Sequence, residues 1–301
     1  MGGPMIDQVV ERVTLWQGDA VDVAPLSGGL TNQNYLVTRG DDRFVVRIPG
    51  SSTELLAVDR ANERHNAEAA ATTGVSPPIL EYLEDWSVMV LGFIDGETMS
   101  ADRLREASMP DRITASLHRL HGGPRFLHDF DMFRITEHYL GVVAEHDVRI
   151  PDGFLDRMET VADIERVLAV NLQPSVPCHN DLLAENYIDD GRQLWIIDFE
   201  YSGNDDPCFE LGDTAQECGY DVEQKAALCA AYFGREDPVQ LARMELYAMM
   251  ADVGWTLWAA IQAQISTIDF DFWGWAVERW DRAVDVIEGP GFADLRNAAG
   301  R

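Results

Sequence analysis

The sequence predicts an α+β protein in two lobes, a small strand-rich lobe first and a larger, mostly helical lobe after it. Three observations carry this expectation. Short runs of β-branched and aromatic residues bounded by turn residues fall before Gly92. Long stretches with few Gly or Pro take over from Met109. Between them lies a connector, Gly92 to Gly96, which places the boundary so that residues 1–92 form the first lobe and 93–301 the second.

The elements follow in order. Asn34 to Thr38 and Arg43 to Ile48 are strand-like runs around the turn residues Gly40-Asp41-Asp42, so they pair as a hairpin that Pro49-Gly50 ends. Asp59 to Thr73 is rich in Ala and Glu and reads as a helix closed by Gly74. Ile79 to Leu83 and Ser87 to Leu91 form another strand pair. Helical patterns then cover Met109–Leu120, Asp152–Val170, Val222–Phe233, Val239–Ile265 and Phe272–Ile287. A cleft between two lobes is the expected place for a ligand.

Composition narrows the partners. The 301 residues carry 23 Lys and Arg against 52 Asp and Glu, a formal net charge of −29. A surface this acidic argues against nucleic acid and against an anionic membrane surface, which both require basic patches. No run of apolar residues is long enough for a spanning helix, and no secretory leader is visible, so a cytoplasmic protein without membrane insertion is expected. Cys178, Cys208, Cys218 and Cys229 form no CxxC pair and read as reduced thiols, with metal binding disfavoured. Lys225 is the only lysine, and the remaining basic side chains are arginines.

The densest chemical signal is His179-Asn180-Asp181-Leu182-Leu183-Ala184-Glu185-Asn186, followed by Leu194-Trp195-Ile196-Ile197-Asp198-Phe199-Glu200. Apolar segments flank the turn 189–192, so the chain folds back and brings Asp181, Asn186 and Asp198 to one edge. This set suits phosphoryl transfer. One Asp accepts the proton of a substrate hydroxyl, while an Asn and a second Asp offer oxygen ligands to a magnesium ion on nucleotide phosphates. The alternative, that Asp181 and Asn186 only cap turns, leaves the second carboxylate one hairpin later without a reason.

These motifs resemble the protein-kinase-like superfamily that includes aminoglycoside phosphotransferases and choline/ethanolamine kinases. His179-Asn180-Asp181 and Asp198-Phe199-Glu200-Tyr201 are most similar to the choline/ethanolamine branch. The resemblance implies a two-lobed protein-kinase-like fold with ATP and magnesium as cofactors. It makes Asp181 the catalytic base and Asn186 and Asp198 the metal ligands, with Glu200 supporting the metal or the substrate side.

Upstream parts agree. In Ser27-Gly28-Gly29-Leu30-Thr31-Asn32-Gln33-Asn34, adjacent glycines permit a tight turn and close approach of backbone N–H groups to phosphate. The segment resembles the family's nucleotide-covering loop, which implicates Ser27, Gly28, Gly29, Thr31, Asn32 and Asn34. The cation expected on the following strand falls to Arg47, because Lys225 lies far beyond the metal motif and choline kinases resemble this chain in using Arg there. Glu63, early in the next helix, is the expected partner of Arg47, with Glu68 as the fallback.

Five of the eight tryptophans fall between Trp255 and Trp280, beside Asp269 and Asp271. Trp255 and Trp258 are three apart and share a helix face. A packed core explains such stripes in many proteins. Here the cluster also resembles the choline pocket of choline kinases, which implicates Trp255, Trp258, Phe272 and Trp275. Tyr is common in the family where this chain has Phe272 and Trp275. Aromatic faces attract quaternary ammonium without hydrogen bonds. Glu217 is a candidate for the negative charge near that ammonium. His121 and His179 are read as structural. The expected substrate is a small cationic amino alcohol, choline or ethanolamine. An aminoglycoside or another cationic alcohol is the alternative, and a non-catalytic nucleotide- or amine-binding protein is the second alternative.

Overall fold

The computed structural model describes residues 4–26, 29–50 and 53–301. Ser27 and Gly28, named above for the nucleotide loop, lie outside these. A short helix, α1 (Ile6–Arg12), leads into five antiparallel strands, β1 (Asp22–Leu26), β2 (Gln33–Arg39), β3 (Asp42–Ile48), β4 (Ile79–Leu83) and β5 (Val88–Gly92), in the order β1-β2-β3-β5-β4. The β2–β3 register pairs Arg39 with Asp42, and Asn34 faces Arg47. Alternation puts Val37, Val46, Ile48 and Val90 on one face, where they pack with Trp16 and the α1 residue Val9. α2 (Arg60–Thr72) is inserted between β3 and β4. Its N-cap Asp59 accepts hydrogen bonds from the amides of Ala61 and Asn62 at 2.8 and 3.1 Å, which starts the helix with Glu63 buried in its first turn.

Beyond β5 the chain is mostly helical. β6 (Glu97–Thr98) precedes α3 (Ala101–Leu104), α4 (Met109–His121), α5 (Met132–His146) and α6 (Met158–Leu168). Four short strands follow, β7 (Val176–Cys178), β8 (Tyr187–Asp189), β9 (Leu194–Ile196) and β10 (Gly203–Asp205). The chain ends with α7 (Pro207–Glu217), α8 (Val222–Phe233), α9 (Pro238–Ile265), α10 (Phe272–Glu288) and α11 (Phe292–Ala299). α9 is 28 residues long and buried for most of its length, packed against α5, α7, α10 and α11. Among the described residues no helix is long and apolar enough to cross a membrane.

Two differences from the sequence expectation have local causes. α5 was not expected, since Gly141 and the neighbouring Val142-Val143 lower helix propensity. Asp131 caps it nonetheless, accepting from the amides of Phe133 and Arg134, and Tyr139 anchors it by donating to the Leu56 carbonyl at 2.9 Å. The helix expected over 152–170 is shorter, because Pro151 and Gly153 confine its start to a 3₁₀ turn at Leu155–Arg157.

The connector after β5 is stitched to the helical region. β6 pairs with β8, and β8 pairs with β9. A Cβ at Gly96 would stand 2.6 Å from the Asp189 carbonyl oxygen, so only glycine permits this crossing. The β8–β9 hairpin is thereby fixed beneath the sheet, and it carries Asn186 and Asp198 at its two ends.

Candidate active site

The loop from Cys178 to Asn186 is held from below by α7. Glu210, fully buried, accepts from the amides of His179 and Asn180 at 2.8 and 2.7 Å. Asp213, one turn on, accepts from the amide of Leu182 at 2.8 Å. Burial alone would push the Glu210 carboxyl up, but the hydrogen bond and charge of His121, with the donors from His179, outweigh it and hold it below its ordinary value. The backbone reverses at Asn180, whose φ is 66°. His179 is buried, donates from Nε2 to the Ile197 carbonyl at 2.8 Å, and accepts at Nδ1 from the Asp181 amide at 3.3 Å. Burial lowers its pKa, so it braces the loop as a neutral imidazole. His121 bonds Tyr232 Oη at 2.6 Å and lies 3.8 Å from the Cys178 thiol, within the helical packing. All four cysteines are free and buried.

Asn186 closes the loop by donating from Nδ2 to the Asp181 carbonyl at 2.8 Å, which leaves its amide oxygen available. The Asp181 carboxyl is pushed well up by burial first and then by the charges of Asp213, Asp198, Glu200 and Glu217. Asp198 has a φ of 71°, a left-handed conformation that costs energy for a non-glycine residue, and it follows the Ile197 amide bond to the Asn186 carbonyl at 3.0 Å.

Arg47, buried on β3, joins Glu63 and Asp198 in ion pairs and reaches Glu200 Oε2 at 3.4 Å. Arg60 bonds Glu63 at 2.6 Å and Glu200 at 3.3 Å, and Asn32 donates to Glu200 at 3.0 Å. Burial works against the Arg47 charge, but Asp198, Glu63 and Glu200 outweigh it and hold its proton more tightly than water does. Asp198 is pushed up to about 7 by burial, with Arg47 opposing and Glu200 adding to the rise. With Asp198 ionised, two arginines against three carboxylates leave this buried network one negative charge in excess, a set of hard oxygen ligands suited to a divalent cation at Asp198 and Asn186.

Two cavities meet here. One, of about 340 Å³, lies under the sheet and is lined by Gly29, Asn34, Val45, Arg47, Leu91 and Ile94 among others. The other, of about 430 Å³, lies against α9 and α10 and is lined by Thr31, Asp181, Glu200, Trp255, Trp258 and Trp275 among others. Gly29, Glu185, Asn186 and Asp198 belong to both walls. Gly29 has a φ of 95°, and a Cβ there would stand 3.0 Å from the Asn32 carbonyl, so the turn requires glycine.

The structure does not bring every sequence candidate to a cavity wall. Asn32 and Glu63 stand behind it, bound to Glu200 and to Arg47 with Arg60. Glu68 is exposed and paired with Arg64 at 3.1 Å. Phe272 is 3 % exposed and packs on Trp258 with ring centroids 5.9 Å apart, away from the cavity. Phe270 lines the cavity in its place, 5.7 Å from Trp275. Phe270 precedes the N-cap Asp271, whereas Phe272 is the first residue of α10 and turns inward. Glu217 lines the cavity but is paired with the buried Arg279 at 2.5 Å, so its charge is already matched.

Sequence reasoning missed Arg60, Glu210, Asp213, Phe270 and Arg279. Spacing held a signal for several of them. Arg60 is three before Glu63, Glu210 and Asp213 are three apart on α7, and Arg279 is four after Trp275.

Together the fold and the site define a phosphotransferase: a small antiparallel sheet over a helical body, with the Asp181–Asn186 loop and Asp198 between them. The profile of the phosphotransferase enzyme family matches residues 22–247. A crystal structure of a choline/ethanolamine kinase family protein from Mesorhizobium loti superposes with a TM-score of 0.85 at 34% identity, covering 99% of each chain. Protein LicA of Haemophilus influenzae is 26% identical over 277 residues, 87% of this chain and 78% of that protein. Human ethanolamine kinase 1 is 26% identical over 309 residues, 89% of this chain and 68% of that protein. The chain belongs to the choline/ethanolamine kinase family within the phosphotransferase enzyme family.

Proposed function

We propose that this chain is an ATP- and magnesium-dependent kinase that phosphorylates the hydroxyl of a small amino alcohol, choline or ethanolamine. The observation that supports it is the junction of two cavities at Asn186 and Asp198, one against the Gly29 turn and Arg47 and the other walled by tryptophans. Residues 1–92 supply the nucleotide side and 93–301 the catalytic and amine side.

Asp181 is the base. Its raised proton affinity matches a group that must take a proton from an alcohol, and Asn186 and His179 fix its backbone. Asn186 and Asp198 would hold magnesium, which would neutralise charge on the phosphates. Arg47, kept in place by Glu63, offers its guanidinium to the same phosphates, and Glu200 anchors the network from the substrate side. The backbone at Gly29, together with Asn34, borders the nucleotide cavity, while Thr31 lies on the wall toward the amine. Trp255, Trp258 and Trp275 surround the cationic head.

Consumption of ATP with magnesium is measured on choline, ethanolamine and a panel of aminoglycosides. Turnover with choline or ethanolamine is expected. Turnover confined to aminoglycosides refutes the substrate assignment. Nucleotide binding without turnover on any alcohol refutes the assignment as a kinase.

A further inference from the structure

The amine end of the larger cavity has its polar groups already engaged. Trp255 Nε1 donates to Asp213 at 2.9 Å, and Trp258 Nε1 donates to Tyr201 Oη at 2.7 Å, so both indoles offer π faces and no free N–H. Asp213 also accepts from Leu182, leaving it part of the wall. Glu217 is the carboxylate among these aromatics, and both of its oxygens meet Arg279 Nη2, at 2.6 and 2.5 Å. The same guanidinium lies 3.5 Å over the Trp275 ring and is 1 % exposed. A resident cation therefore holds both the acid and one face of the ring. The other carboxylates of the cavity belong elsewhere: Asp198 and Glu200 to the Arg47 network, Asp181 to the substrate hydroxyl, and Glu185 to the exposed rim.

We infer that Arg279 is a specificity-determining residue: by pairing with Glu217 it neutralises the carboxylate that an ammonium N–H would seek among these aromatics, so that the pocket selects a fully substituted ammonium over a primary one. This rests on the amino-alcohol kinase reading above. A quaternary ammonium donates no hydrogen bond and needs only aromatic faces and net negative surroundings. A primary ammonium has three donors to satisfy, and leaving them unpaired against aromatic faces is costly. Arg279 acts through Glu217 and Trp275 and is a positioning residue.

The test is the ratio of KM values for choline and ethanolamine, with kcat measured alongside, in wild type, Arg279→Met, Glu217→Gln and the double variant. Wild type is expected to bind choline the more tightly. Arg279→Met frees Glu217 and is expected to shift the ratio toward ethanolamine by about tenfold, the scale of one charge-assisted hydrogen bond. Adding Glu217→Gln in that background returns the ratio toward wild type. Glu217→Gln alone weakens both amines by a similar factor. An unchanged ratio in folded Arg279→Met overturns the inference, as does a shift that the second substitution fails to reverse. If Arg279→Met does not fold, the single Glu217 variant decides: a loss falling mainly on ethanolamine shows that Glu217 already binds the ammonium. Turnover of neither amine by wild type refutes the parent reading instead, which these outcomes keep separate.

Discussion

Replacing Arg47 by Met removes the cation bonded to Asp198 while keeping an unbranched stem. Arg60 still covers Glu63 and Glu200, at 2.6 and 3.3 Å, so the loss falls on Asp198. Asp198 is already raised to about 7, with burial pushing it up and Arg47 opposing. Without Arg47 it rises further. A carboxyl raised in the folded state favours folding while it stays protonated, and that contribution disappears as pH climbs through its folded pKa. The substitution therefore costs little at Asp198 below neutral pH, and its full cost develops above it. Breaking a buried ion pair from one side costs about 3–5 kcal/mol. For a chain of this size each kcal/mol moves Tm by about 2 °C, giving a drop of about 6–10 °C near about pH 8.5 and only a small one near about pH 6. Thermal unfolding of both proteins without magnesium, at the two pH values, is the assay. An equal drop at both, or a larger one at the lower pH, would falsify the account of Asp198 as the charge that Arg47 balances.

Other perturbations have defined outcomes. Asp181→Asn is expected to lower kcat by about 10²–10⁴ with nucleotide affinity retained in a titration, and full turnover would remove Asp181 from the chemistry. Because burial raises the Asp181 carboxyl, the acid limb of kcat/KM should fall at a pH well above that of an ordinary carboxylate; a limb near about pH 4 contradicts this. Glu210→Gln keeps an oxygen for one backbone donor but sets an N–H₂ against the other, so a loss of about 1–3 kcal/mol in denaturant unfolding is expected, together with a lowered kcat. Trp258→Ala should weaken choline by about 5–30-fold, as loss of a desolvated cation–π contact of about 1–2 kcal/mol predicts, and unfolding without any effect on amine KM would favour a purely packing role.

What was legible in the sequence was the chemistry that is local along the chain. The β2–β3 hairpin, the Asp59-capped helix and the catalytic loop with its following hairpin each depend on residues within a few positions of one another. So does the Trp255–Trp258 face of α9. The rest depends on contacts across long separations. Glu210 supports His179 and Asn180 from 31 and 30 positions away, and Arg60 reaches Glu200 across 140. Neither relation leaves a periodic trace. The choice between Phe270 and Phe272 turned on which side of a helix cap each occupies, a distinction of two residues that composition does not make. Glu217 was recognised as an acid near the aromatics, but the arginine that matches it comes from another helix, 62 positions on.

The shared wall of the two cavities has a kinetic consequence. Asn186 and Asp198 border both, with Gly29 and Glu185, so on the proposed reading donor and acceptor occupy adjoining chambers. On that reading transfer is direct, through a ternary complex, and initial-rate lines at varied ATP and amine should intersect and not run parallel. The phosphorus would arrive with its configuration inverted, and no phosphorylated enzyme should be trapped when the amine is withheld.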